Sequence, residues 1–87
     1  MRFTRSKRFD KHFEKLSVPV RTRVSSRLSA FAANPHDPLL NNHALRGEYE
    51  GCRSINAGGD MRVVYEPIAP GVCKLIDVGT HSELYGA

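Results

Sequence analysis

His43, Asp60, Arg62 and His81 are the residues of this 87-residue sequence best suited to acid–base chemistry. The unperturbed pKa of an imidazole lies near neutrality, so histidine can take up a proton in one step and return it in another. Arginine adds a fixed charge and a planar fork of N–H donors that fits a phosphate. Two histidines, a carboxylate and a guanidinium on one surface would suffice to cleave RNA without a metal. The 2′-OH loses a proton and attacks the adjoining phosphorus, charge builds on the phosphorane, and the leaving 5′-oxygen gains a proton. Each residue also has a plainer reading. His43 would cap a turn, Asp60 would belong to a hairpin loop, Arg62 would pair across strands with Glu48 or Glu50, and His81 would cap the segment that follows it. His12 and His36 fall in a helix and a loop and carry no chemistry on this reading. A zinc module built from His43, Asp60 and His81 lacks the compact ligand spacing usual for such sites.

The elements that would position these side chains follow from hydrophobic spacing. Arg2 to Arg5 reads as a short strand, and Ser6 as the cap of a helix whose Phe9, Phe13 and Leu16 form one stripe. Ser17-Val18-Pro19 closes that helix and opens a second, in which Val20, Val24, Leu28 and Phe31 share a face. Asn34-Pro35 ends it, and a turn-rich connection runs to Asn42. Ala44 to Ala57 reads as strand with a bend at Gly47 or Gly51, Gly58-Gly59-Asp60 as a hairpin turn, Met61 to Tyr65 as strand, Pro67 to Gly71 as a turn, and Val72 to Val78 as a last strand. The expected fold is α+β: an N-terminal strand and a two-helix hairpin packed on one face of an antiparallel sheet, in one domain spanning residues 1–87. Strand parity puts Met61, Val63 and Tyr65 toward the helices, and Asp60 and Arg62 on the uncovered face. In the last strand Val72, Ile76 and Val78 suit the core, and Asp77 falls on the opposite parity.

Charge is distributed unevenly. Residues 1–27 hold nine basic and two acidic side chains, a net of +7, and the rest hold four basic and seven acidic, a net of −3. The basic third is a footprint for a polyanion, either nucleic acid or an acidic protein segment, although a solvated helix face has the same composition. Cys52 and Cys73 have no metal-ligand spacing and read as small core residues. No apolar run is long enough to span a bilayer and no signal peptide is legible, so the expected setting is the cytoplasm, with no membrane partner.

Three segments together resemble the RelE/ParE toxin superfamily, and its YafQ-type branch above all. They are Asn42-His43-Ala44-Leu45-Arg46-Gly47-Glu48-Tyr49-Glu50-Gly51-Cys52-Arg53-Ser54-Ile55, Gly59-Asp60-Met61-Arg62-Val63-Val64-Tyr65, and Gly79-Thr80-His81-Ser82-Glu83-Leu84-Tyr85-Gly86. The His-Ala-Leu-x-Gly opening and the Gly-x-His-x-Glu-Leu ending are the most diagnostic. The resemblance implies the toxin of a type II toxin–antitoxin system, an endoribonuclease that enters the ribosomal A site and cuts messenger RNA there without a cofactor. It implies His81 as general acid, Asp60 and His43 in base or orienting roles, and Arg62 on the phosphate. Tyr85 would stack on a base, with Asn56 and Arg53 as further RNA-contacting positions. The implied partners are a cognate antitoxin, the ribosome with its message, and operator DNA through the antitoxin complex only.

One departure qualifies this, at Asn56, and one family-like residue, Arg53, reads differently by its parity. Asn56 stands where some YafQ-type enzymes carry another histidine, and an amide cannot shuttle protons near neutral pH. Arg53 shares its parity with Ile55, which makes it structural or peripheral. A ParE-type gyrase inhibitor with no catalytic residues, and a catalytically weakened toxin acting through its antitoxin complex, are the competing readings.

Overall fold

A computed structural model of the chain describes residues 1–86. Strand β1 (Arg2–Arg5) leads into helices α1 (Lys7–Glu14) and α2 (Val18–Ala33). Strands β2 (His43–Ala44), β3 (Arg53–Asn56), β4 (Met61–Ala69) and β5 (Val72–Thr80) follow, and helix α3 (His81–Tyr85) ends the described chain. The sheet has five strands in the order β1-β5-β4-β3-β2. β2 to β5 form the expected antiparallel meander, but β1 joins the edge parallel to β5, so the sheet is mixed.

Both helix starts use the serines read from the sequence. Ser6 Oγ accepts the Phe9 N–H at 3.0 Å, and Ser17 Oγ accepts the Val20 N–H at 3.4 Å, each satisfying a donor that the first turn leaves free. Ser6 also fixes where α1 lies. β1 ends at Arg5 opposite Leu75, and from there the N–H and Oγ–H of Ser6 donate to the carbonyls of Leu75 (2.9 Å) and Ile76 (2.6 Å). Helix α1 therefore takes over beside β5 where β1 stops, covering a strand edge that would otherwise be open to other chains.

The core lies between the helices and one face of the sheet. Phe9, Val24 and Phe31 from the helices meet Leu40, Ile55, Met61, Val63, Tyr65, Leu75 and Val78, and Phe13, Leu16, Val20 and Leu28 flank them. Phe31 stacks on Phe3 and tilts against Tyr65, with ring centroids 6.0 and 4.7 Å apart.

The expected parity of β5 fails at a bulge. Val64 pairs with Asp77 but Tyr65 pairs with Leu75, so Ile76 is an extra residue and the strand changes face there. Cys73 and Leu75 are the core residues before the bulge and Val78 after it, whereas Val72 and Ile76 are only half-buried. The stretch expected as one bent strand is also broken. Gly47 and Gly51 have positive φ (68° and 89°), and a 3-10 turn at Gly47–Tyr49 separates β2 from β3. That excursion carries Tyr49 onto the face opposite the helices.

The opposite face is not bare. Ser54, Val64 and Asp77 form one cross-strand row there, and each is buried. Tyr85 and Tyr49 cover part of it, their rings edge to face at 5.9 Å.

Candidate active site

On this face Asn41, His43, Leu45, Ser54, Arg62, His81 and Tyr85 line a groove of about 430 Å³. Ser54 from β3 is its buried floor. His43 comes from β2 at the sheet edge, Arg62 from β4, and His81 and Tyr85 from successive turns of α3. The groove is small and open, as expected of a chain too short to enclose a large ligand.

Each side chain is oriented by a local interaction. His43 Nδ1 lies 2.7 Å from the Asn41 carbonyl. A carbonyl can only accept, so Nδ1 carries the proton and, in the neutral ring, Nε2 is left as an acceptor. Asn41 has a left-handed backbone (φ 45°), which asparagine tolerates better than most residues. Arg62 donates through one terminal nitrogen to the carbonyls of Gly59 (3.0 Å) and Met61 (2.9 Å), not to Glu48 or Glu50. Those bonds tether the guanidinium to the β3–β4 turn.

His81 is the first residue of α3, and its N–H donates to the Asp60 carbonyl at 3.2 Å. It does not cap the helix. Thr80 does, through a reciprocal box in which Thr80 Oγ1 accepts the Glu83 N–H (3.2 Å) and Glu83 Oε1 accepts the Thr80 N–H (2.8 Å). The Thr80 hydrogen bonds, backbone first, hold the Glu83 carboxyl below its usual range. One turn on, Tyr85 packs edge to face on the His81 ring at 4.9 Å, and its hydroxyl donates to Ser54 Oγ at 2.8 Å. The imidazole is thus exposed and braced by an aromatic ring anchored in the sheet.

Of the residues singled out from the sequence, His43, Arg62, His81 and Tyr85 meet in this groove. Asp60 is exposed in the turn outside the lining, tied to the site through its main-chain contact with His81. Asn56 pairs with Arg62 across the strands and is half-buried, with Oδ1 enclosed and unpartnered. Arg53 shares the row of Tyr65 and Leu75, on the helix side. Its Nε donates to Asn42 Oδ1 at 2.9 Å, where the Tyr65 hydroxyl also donates at 3.0 Å, so Arg53 fastens the connection before β2 and faces away from the groove. Ser54 and Asn41, which hold Tyr85 and His43, were not anticipated as site residues. The shared parity of Ser54 and Asn56 was the available signal for the first.

Asp77 and His12 pair with each other outside the groove. Asp77 is 4% exposed and does not join the groove. Its Oδ1 meets His12 Nδ1 at 2.6 Å and the Val78 N–H at 2.8 Å, and its Oδ2 faces Arg8 Nε at 3.9 Å. Burial, with the Asp77 charge nearby, raises the Tyr49 phenol above its usual pKa. Burial likewise raises the thiols of Cys52 and Cys73. Among the described residues no three His, Cys, Asp or Glu side chains cluster as a metal-ligand set, and no helix is long and apolar enough to cross a membrane.

No protein-family profile and no curated protein sequence matches the chain. Solved structures do. YafQ from E. coli strain BL21(DE3) superposes with a TM-score of 0.81 over 99% of this chain and 100% of that one, at 18% identity. A conserved hypothetical protein from Helicobacter pylori gives 0.73 over 98% and 99%, at 26% identity. A chain of the intact E. coli RelBE toxin–antitoxin complex gives 0.70 over 91% and 94%, at 27% identity. The chain has the RelE/ParE fold. Within that RelE/ParE fold, the groove lies on the sheet face left free by α1 and α2, between the β2 edge and α3.

Proposed function

We propose that this chain is the toxin of a type II toxin–antitoxin system and acts as a ribosome-dependent endoribonuclease on messenger RNA. The observation that carries this reading is the convergence of His43, Arg62 and His81 on one groove beside Tyr85. A 2′-OH next to His43 would give its proton to Nε2, the nitrogen that the Asn41 contact leaves free. Its oxygen would attack the adjoining phosphorus. Arg62, with N–H groups beyond those used on the turn, would stabilise the equatorial phosphorane oxygens. His81 in its protonated form would deliver a proton to the 5′-oxygen as the P–O bond breaks. The products are a 2′,3′-cyclic phosphate and a 5′-hydroxyl, and no step uses a metal. Tyr85 would stack on a base, and Asp60 would act through its carbonyl, placing His81.

An antitoxin is the expected protein partner, because the structural neighbours include a toxin–antitoxin complex. The basic N-terminal third suits an acidic antitoxin segment when bound and ribosomal RNA when free.

Inducing the chain without a partner is expected to stop growth and to leave cut messages on ribosomes. His81→Ala is expected to slow cutting by about 10²–10⁴-fold and to relieve the arrest, because a positioned proton donor contributes about that much. Normal growth on soluble wild-type protein favours a catalytically weakened toxin, for which the argument is that Asn56, an amide that cannot shuttle protons, stands where some YafQ-type enzymes carry a histidine. DNA damage with intact translation favours gyrase poisoning.

A further inference from the structure

Next to the groove lies a second cavity of about 410 Å³, lined by Arg46, Glu48, Tyr49, Leu84, Tyr85 and Gly86. The two share one lining residue, Tyr85, whose hydroxyl donates to buried Ser54 at 2.8 Å. In the second cavity Tyr49 stands edge-on to Tyr85 at 5.9 Å, brought there by the 3-10 turn between β2 and β3. We propose that this second cavity is a nucleobase subsite for a guanine adjoining the cleaved phosphodiester, with Glu48 reading its Watson–Crick edge. The proposal deepens the nuclease reading and rests on it for the position of the scissile bond.

Attack by a 2′-OH requires the nucleophile, the phosphorus and the leaving oxygen to approach a line. A stacked strand holds the 2′-oxygen off that line, so the two bases flanking the scissile phosphate must be parted. A fixed aromatic ring between two cavities does this. One nucleotide lies on the His81 side of Tyr85, its neighbour enters the Tyr49 side, and the backbone between them is turned at the phosphate. Unstacked bases are commonly held on aromatic rings and guanidinium planes, and Tyr49 and Arg46 supply both. Leu84 gives the cavity an apolar wall.

Base identity follows from Glu48. A carboxylate can only accept, and it has two oxygens side by side. Guanine alone among the four bases presents two neighbouring N–H donors on its Watson–Crick edge, from N1 and the exocyclic amine. Uracil offers one donor between two acceptors, which a carboxylate repels. Arg46, in the same cavity, offsets the anionic charge that would otherwise oppose RNA.

The test is nucleotide-resolution mapping of cuts on programmed ribosomes by wild type and Glu48→Gln, an isosteric change at an exposed side chain. Wild type is expected to cut with guanine at one fixed side of the break, and Glu48→Gln to lower the preference for guanine over uracil roughly tenfold, the discrimination typical of one bidentate contact. Wild-type cuts with no guanine preference, or a preference unchanged in the variant, overturn the subsite. If wild type does not cut, the nuclease reading fails, and an NMR titration of the same chain decides the subsite alone. Guanosine monophosphate should shift the Tyr49 and Leu84 signals more than uridine monophosphate does, and equal or absent shifts reject it.

Discussion

The two faces of the sheet solve the problem of a small domain differently. On the helix side Phe31, Val24, Ile55, Val63 and Leu75 are at most 2% exposed, and the core is almost wholly apolar. On the other side the buried residues include Ser54 and Asp77, each satisfied by a side chain brought in from elsewhere: Tyr85 for Ser54, and His12 for Asp77. Water exclusion holds the first face together, and specific polar pairing holds the second. Pairing also fixes side chains in direction, and a groove that positions two imidazoles needs that.

The contrast can be broken most severely on the apolar side. Phe31→Ala removes a ring in contact with Phe3 and Tyr65 and is expected to cost about 3–5 kcal/mol, a large part of the stability of a domain this size. Chemical denaturation should find the variant largely unfolded. Retention of near wild-type stability would mean that the helix face is not the main source of cohesion.

A middle effect is expected from His12→Ala, which leaves the Asp77 carboxylate with the Val78 N–H and a distant Arg8. Because His12 is the more exposed partner (42% against 6% for the side chains), water can replace part of what is lost. A cost of about 1–3 kcal/mol follows. His12→Asn, whose Nδ2–H can reach the same carboxylate, should recover part of it, and equal losses for the two variants would deny the pair a hydrogen-bonding role.

The smallest effect is a pH dependence at the end of α3. Glu83 has its pKa lowered in the folded chain by the Thr80 hydrogen bonds, so its contribution is complete above the ordinary carboxylate range and is lost as pH falls through the lowered value. The Thr80 amide resonance should therefore move on acidification, before the chain unfolds, and Glu83→Gln should abolish that movement. A Thr80 signal that titrates the same way in the variant would place the cause elsewhere. The box is exposed and its share of stability is small, but it sets the start of the helix that carries His81 and Tyr85.

These differences also mark what sequence reasoning could reach. Helix stripes and caps were legible because each obeys a local rule, and Ser6, Ser17, Phe9, Val24 and Phe31 take the places that the rule assigns. The face shared by Met61, Val63 and Tyr65 was legible for the same reason, as was the grouping of Arg62 with the polar side. Non-local features were not. The bulge at Ile76 reverses the parity of the preceding half of β5, and nothing in Val72–Thr80 announces it. The pairing of His12 with Asp77 spans 65 positions and depends on α1 replacing β1 beside β5. Family resemblance drew His43, Arg62, His81 and Tyr85 together. It also suggested Arg53, whose parity with Ile55 was the better guide to its place on the helix side.

The central claim is that a 2′-hydroxyl of the message is the nucleophile and that the groove only moves protons and balances charge around it. A ribosome programmed with a message carrying one 2′-deoxynucleotide on the 5′ side of the cut bond tests this directly. Cutting at that bond is expected to disappear while neighbouring all-ribose codons are still cut; cleavage that persists at the deoxy position would contradict the account.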